Sequence, residues 1–434
     1  MTGRISELAY GKGHLDFELP DGVDTCLLDA VPTKAIPNFE DEVKKALRHP
    51  IKSPPLKEIV KPGETVAIVV SDITRLSYKT SGYLPVLLNE LNEAGVQDEK
   101  ITVVIATGEH EHRPQTAEED RLIVGEEAYK RVRVINHDCH AKDLVQLGNS
   151  TRGTEIAINR TVYESDRVIL TGGISYHMVA GFGGGRKSLC PGVCSFNGIQ
   201  ENHSLSVRNA GPTGINPHVG PGILEGNPVS DDMFEICEKV KPDFLVNVVV
   251  NERGEYVAVV AGDIKEAFKA GCKVVKESFS VPIKRRNDLV IASCGGYPKD
   301  IQLYQSVKGL DNAAYAVRDG GVIILCSECS DGAGSKDFME WLRHQSISEM
   351  RTTLGVDFLM DGFVALRTAS IMSTSRVILI SSLADAIVTG VHMIPAENPE
   401  KALKIAQGFL KDIKTAAIMP HASLTFPILT SNNR

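Results

Sequence analysis

Between Val168 and His203 the chain reads VILTGGISYHMVAGFGGGRKSLCPGVCSFNGIQENH, and few structural tasks call for that composition. A short apolar run ends in Thr171-Gly172-Gly173. His177 follows, then Gly181, Gly183, Gly184 and Gly185, the pair Arg186-Lys187, and finally Asn202-His203. Glycine lets backbone approach a ligand closely and takes up φ > 0 at little cost. Successive N–H groups in such a loop form a concavity suited to an anion. The plain alternative is a glycine-rich surface loop with scattered polar residues.

Two familiar phosphate motifs fail here. A P-loop reads G-x-x-x-x-G-K-[ST]; counting from Gly181, Arg186 stands where the second glycine belongs. The dinucleotide fingerprint G-x-G-x-x-G fails at the same residue. The stretch instead resembles the nickel-dependent lactate racemase family, whose signature runs H-x-x-A-G-F-x-G-G-R-K, followed by an Asn-His pair. His177, Ala180, Gly181, Phe182, Gly184, Gly185, Arg186, Lys187, Asn202 and His203 all fit that spacing. Gly183 stands where the family usually has serine. The resemblance runs from about Gly63 to the end of the chain.

Composition sets the frame. With 434 residues, 42% of them hydrophobic, the chain has length for about two or three domains and needs no disulfides or metals merely to fold. A net charge of −8 with dispersed Lys and Arg argues against nucleic acid or an anionic membrane as partner. No run approaches the ~18 apolar residues of a membrane helix. The N-terminus lacks a signal-peptide apolar core, and nine cysteines, an odd count, suggest reduced thiols in a cytoplasm. Cys326-Ser327-Glu328-Cys329 is a CxxC with no second pair, which a zinc site would need.

Along the chain, apolar runs alternate with helical patterns. Residues 1 to about 60 read as a peripheral layer broken by prolines. Strand-like runs follow at Thr65–Val70, Ile101–Ala106, Val132–Ile135, Arg167–Leu170 and Phe244–Val250, with helices at Leu84–Ala94 and Ala117–Val124 between them. A continuous apolar run is what a strand buried on both faces shows. After a basic, Pro-containing connector at 276–287 the pattern restarts, with strands at Asp288–Ala292, Gly321–Cys326, Arg376–Ile380 and Thr415–Ile418. The expectation is two α/β domains with mainly parallel sheets, 1–275 and 288–434, and an active-site cleft between them.

In open parallel sheets ligands bind beyond the carboxyl ends of the strands. Polar and glycine-rich residues collect there: Ser71-Asp72-Ile73-Thr74-Arg75 after the first run, Thr107 to Pro114 after the second, the opening stretch after the fourth. Asp72 alone would serve as a helix cap. Arg75 is able to fork onto a carboxylate. His110 and His112 form an H-x-H pair, suited to a metal or to a base near neutral pH. His137 and His140 read as structural. Beyond Asp288–Ala292 come Tyr304, Gln305 and Lys308; Tyr304 and Lys308 share a helical face. Trp341, the only tryptophan, reads as core.

The resemblance implies specific roles. Family members racemise a 2-hydroxy acid. Proton loss from its α-carbon is opposed by the neighbouring carboxylate, so a base takes the hydroxyl proton while a hydride acceptor leaves a planar 2-keto acid. Protein side chains offer no hydride acceptor. The family uses nickel held by pyridinium-3,5-bisthiocarboxylic acid mononucleotide, joined covalently to a lysine and made by dedicated biosynthesis enzymes. By resemblance Lys187 is that lysine and His203 ligates the nickel. His177 and either His110 or His112 are the paired acid/base residues. Anchoring the family's A-T-G-x-H-R-P on Thr107-Gly108, where the strand end fixes the geometry, favours His110; anchoring it on Arg113-Pro114 gives His112 in its place. Asp72, Thr74, Arg75, Gly184, Gly185 and Arg186 would bind the cofactor, and Arg75, Tyr304, Gln305 and Lys308 the substrate. The rival readings are a nicotinamide-dependent dehydrogenase and a non-catalytic nickel- or cofactor-binding protein.

Overall fold

The computed structural model describes residues 3–29, 33–109, 115–251 and 253–430. They form two units. The central unit takes in Pro32–Ser206 and Asn216–Glu277; the flanking unit takes in Met1–Val31, Val207–Ile215 and Ser278–Arg434. Each is built on a six-stranded sheet, and the expected α/β class with mainly parallel strands holds in both.

The central sheet contains β1 (Val66–Ser71), β2 (Ile101–Ala106), β3 (Arg133–Asn136), β4 (Arg167–Gly173), β5 (Phe244–Val250) and β6 (Tyr256–Gly262). Its order is β6-β5-β4-β1-β2-β3. Only the β5–β6 pair is antiparallel. Val66 to Val70 are all buried, because both faces of the strand are covered. Helix α1 (Thr80–Glu93) sets Leu84, Leu87, Leu88 and Leu91 against Ile68, Val70 and Val103. Each such side chain contributes roughly 1.5–3 kcal/mol of burial. The chain runs outward from β1 through β2 to β3, then returns to β4 on the other side of β1. The strand order therefore reverses between β1 and β4, which in open α/β sheets is the crevice where ligands bind.

The flanking sheet is wholly parallel: Ile394–Ala396, Arg376–Ile380, Val317–Cys326, Asn287–Ser293, Thr415–Met419 and Asp24–Leu27, in that spatial order. Here the structure departs from the sequence reading, which kept the N-terminal residues with 1–275. Asp24–Leu27 adds to the C-terminal sheet beside Thr415–Ile418. The hairpin Gly3–Tyr10/Gly13–Leu19 packs Leu8, Phe17 and Leu19 into a core with Leu289, Val322 and Ile378. Strand pairing at such sequence separation leaves no local signal. Trp341 is half-buried, its ring over Gly362. All nine cysteines are free, Cys326 and Cys329 among the buried ones. Among the described residues no helix is long and apolar enough to cross a membrane.

Candidate active site

The carboxyl ends of β1 and β4 flank the reversal point. The turn after β1 carries Asp72, almost fully buried, whose carboxylate accepts a 2.6 Å hydrogen bond from Thr74 Oγ1. Asp72 stands at the start of a short 3-10 turn, yet its side chain caps no backbone N–H; the helix-cap alternative does not apply. Arg75 Nη1 donates to Thr74 Oγ1 at 3.2 Å and to Thr74 O at 3.3 Å.

After β4, Tyr176–His177 doubles back on Gly181–Phe182 as a two-residue antiparallel pair. Gly181 permits this at φ 76°: a Cβ there would lie 2.0 Å from Ile223 O. Within the tight turn, the N–H groups of Val179 and Ala180 both donate to His177 Nδ1, at 3.1 Å each. The chain then passes Gly184 and Gly185 into a short 3-10 turn, Gly185–Ser188. This turn brings Lys187 Nζ to 3.2 Å from His177 Nε2. Both side chains are partly exposed.

His203 comes from α2 (Phe196–Ser204), started by Ser195 capping Gly198 N–H. The ring is 2% exposed. Its Nδ1 lies 2.9 Å from Ile199 O, so Nδ1 carries the proton and Nε2 keeps a lone pair. The preceding Asn202 donates to Asp232 Oδ2 (2.8 Å), a buried carboxylate that also accepts from Ser150 Oγ (2.5 Å) and Thr154 Oγ1 (2.7 Å). These bonds tie α2 to α3 (Pro228–Val240).

The electrostatics of the pair follow from burial and from neighbouring cations. Burial first, then Arg186 and Arg75, push Lys187 down from 10.5 to about 7, against the opposing influence of Cys190 and Glu109. Burial also holds His177 well below the usual histidine value, reinforced by Lys187, Arg75, His203 and Arg186. Near neutral pH an uncharged imidazole and a substantially uncharged amine stand side by side, a combination typical of functional sites.

Arg186 is placed for a different task from the cofactor contact expected of it. Its side chain is fully buried. The guanidinium donates to Ala180 O (2.6 Å), Phe182 O (3.1 Å), Gly184 O (3.4 Å) and Ser230 Oγ (3.0 Å). It also lies over the Phe268 ring at 4.4 Å. Arg186 thus ties the glycine turn together from behind. Gly185 N–H is likewise engaged, donating to Asn247 Oδ1 at 2.8 Å, while Asn247 Nδ2 donates to Gly172 O at 3.1 Å. A Cβ at Gly185 would meet the Phe268 ring at 2.6 Å.

The sequence reading missed Asn247. A lone amide inside the buried run FLVNVVV is the signal that finds it, since a buried polar group needs partners. It also missed Glu109, whose carboxylate accepts from Gln200 Nε2 at 2.9 Å, and Tyr78, whose hydroxyl meets Ser175 Oγ at 2.9 Å. His137 is buried, with Cys194 O and Asn159 Nδ2 on its two ring nitrogens, a structural arrangement. His110 and His112 lie outside the described residues. Tyr304, Gln305 and Lys308 lie in the flanking unit on α4 (Leu303–Ala314). Lys308 Nζ donates to Gln305 Oε1 at 3.0 Å, and the Tyr304 ring packs edge-on against Phe338.

Comparison with known proteins places these features. Residues 10–213 match the family model described as the lactate racemase N-terminal domain, and 283–423 the lactate racemase C-terminal domain. A lactate racemase of Thermoanaerobacterium thermosaccharolyticum is 33% identical over 423 residues, covering 95% of this chain and 97% of that protein. One from Lactiplantibacillus plantarum is 32% identical over 374 residues, covering 85% and 86%. The structure of the Thermoanaerobacterium apoprotein superimposes with a TM-score of 0.86 at 32% identity, covering 98% of this chain and all (100%) of that one. A Thermotoga maritima protein shares the fold alone, with a TM-score of 0.63 at 20% identity, covering 92% and 100%.

Proposed function

The chain belongs to the lactate racemase family and is an isomerase of the racemase type, and from that premise we propose that it inverts the α-carbon of a 2-hydroxy acid. Lactate, the acid named by its relatives, is the first candidate, with malate and similar acids next. The observation that carries this reading is the meeting of Lys187 Nζ and His177 Nε2 at 3.2 Å beside the β1–β4 reversal point.

The residues suit a nickel-pincer nucleotide. Lys187 offers an amine for a covalent link, and His203 offers one imidazole lone pair, suited to nickel. Among the described residues no three of His, Cys, Asp or Glu converge to hold a metal ion; in this reading the remaining ligands belong to the organic part. When bound, that group supplies the hydride acceptor that side chains lack. The protein supplies the rest. His177, with His110 or His112 as its counterpart for the other hand, removes and returns the hydroxyl proton. Arg75 holds the carboxylate through its guanidinium. Asp72 and Thr74 hold the nucleotide. Gly184, Gly185 and Arg186 serve it by fixing the turn that presents Lys187. Maturation then depends on cofactor-making enzymes, and a reduced, cytoplasmic setting suits the free thiols.

The test is to produce the chain together with those enzymes and weigh it intact. Wild type should carry one nucleotide-sized mass increment on Lys187 with about one nickel per chain, and Lys187→Ala should carry none. An increment that persists in Lys187→Ala contradicts the assignment.

A further inference from the structure

Four glycines shape the loop that presents His177 and Lys187, and the backbone requires three of them. Gly181, Gly184 and Gly185 have φ of 76°, 73° and 56°, and a Cβ on them would lie 2.0, 2.9 and 2.6 Å from the nearest atom. Gly183 differs. Its φ is outside the left-handed region. A Cβ there would rest in ordinary contact, 3.4 Å from Gly173 O and 3.6 Å from Ser175 Oγ. The fold therefore admits a side chain at 183, where the family usually has serine. What glycine leaves is room beside the Ser175 hydroxyl.

That hydroxyl stands on the His177 face of the hairpin. Tyr176 pairs with Phe182 and His177 with Gly181. Gly183 N–H donates to Ser175 O at 2.8 Å and continues the ladder. Successive side chains alternate between faces. The Tyr176 and Phe182 rings meet on one face, their centroids 5.2 Å apart. Ser175 and His177 share the other, roughly 7 Å apart along the strand. Tyr78 reaches the same side: a Cβ at Gly173 would strike its ring at 2.1 Å, and its hydroxyl meets Ser175 Oγ at 2.9 Å. Both residues keep partial exposure. Tyr78 comes from the same turn, Ile73–Tyr78, as Arg75.

We propose that Tyr78, Ser175 and the room at Gly183 form a subsite for a hydroxyl group on the substrate carbon next to the reacting one, so that the preferred substrates are 2,3-dihydroxy acids. The proposal rests on the reading of the chain as a 2-hydroxy acid racemase. The chemistry of the pair selects the group. Within the Tyr78–Ser175 bond one hydroxyl donates and the other accepts. One O–H then remains for an outside acceptor, and lone pairs remain for an outside donor. An alcohol offers both. A second carboxylate would call for a cation, and neither hydroxyl carries charge. Serine at 183 would fill the room with a CH2OH, and glycerate carries a CH2OH where lactate carries a methyl. Inversion gives the anchor its use. While H and OH exchange faces at the α-carbon, Arg75 on the carboxylate and this pair on the hydroxyl hold the two ends of the molecule in place. The methyl of lactate offers no such hold.

The experiment uses holoprotein, made with the cofactor enzymes, and compares kcat/KM for inversion of D-glycerate and of D-lactate, each followed by chiral chromatography. Wild type should favour glycerate by about tenfold, from a hydrogen bond that the methyl leaves unmade. Tyr78→Phe and Ser175→Ala should each bring the glycerate-to-lactate ratio down toward one. Gly183→Ser should do the same by filling the room with a hydroxymethyl of the chain's own. A hydroxyl pair that merely braces the hairpin would slow both acids alike and leave the ratio where it stands. A wild-type ratio of one or less, or a ratio unmoved in both Tyr78→Phe and Gly183→Ser, overturns the proposal. The lactate arm separates the two claims. Lactate inverted with glycerate no faster defeats this inference alone. Neither acid inverted, with the mass increment on Lys187 and nickel both present, defeats the functional reading and this inference with it.

Discussion

Asn247 holds the reacting turn by two bonds that the sheet alone would not make. Its amide satisfies Gly185 N–H and Gly172 O at once. Asn247→Leu keeps the volume and orphans both groups. At roughly 1–3 kcal/mol for each unsatisfied buried group, the variant should lose about 3 kcal/mol by denaturant unfolding. A loss under about 1 kcal/mol would mean the amide is not holding the turn. Lys187 gives a prediction in pH. Its folded value is depressed from 10.5 to about 7. Between those values the unfolded chain binds a proton that the folded chain does not, so stability from this group rises as pH rises. Below about 7 both states are protonated and the cost is constant. The stability difference between wild type and Lys187→Met should therefore move in favour of wild type from pH 7 to pH 9. The slope should approach, and not exceed, the ~1.4 kcal/mol per pH unit that a difference of one bound proton gives. A difference flat in pH contradicts the depressed value. At this scale the sequence displayed His177, Lys187 and His203 through their fixed spacing. It could not display that Arg186 turns inward, since an Arg-Lys pair reads alike whichever of the two faces the ligand.

At the scale of elements, the strands covered on both faces were the legible ones. Ile101–Ala106, Phe244–Val250 and Arg376–Ile380 stand where their apolar runs predict. Asp24–Leu27 and Tyr256–Gly262 went unread. Both are sheet edges with mixed burial and break the continuous apolar pattern. The hairpin at Tyr176–Phe182 is a third case: its two-residue strands depend on Gly181 lying against Ile223 O, a contact invisible before folding. Gly181→Ala should cost about 2 kcal/mol or more, from the left-handed backbone and the clash with a carbonyl that has little room to retreat. It should also lower the nucleotide-sized mass increment on Lys187 in the co-produced protein. Full stability together with a full increment would show that the hairpin does not position the pair.

For the whole molecule, the parallel α/β class was legible and the allocation of segments was not. The sequence reads residues 1 to about 60 as a peripheral layer of the 1–275 domain, yet Asp24–Leu27 pairs with Thr415–Ile418. Nothing in four short residues states which sheet they will join. Holoprotein made with the cofactor enzymes and freed of nicotinamide is given pure L-lactate, and in parallel pure D-lactate, and the product is resolved by chiral chromatography. The opposite enantiomer should appear from either start, converging on equal amounts of the two, with Lys187→Ala inert. Lactate that stays optically pure, with the increment on Lys187 and nickel both present, would contradict lactate racemisation.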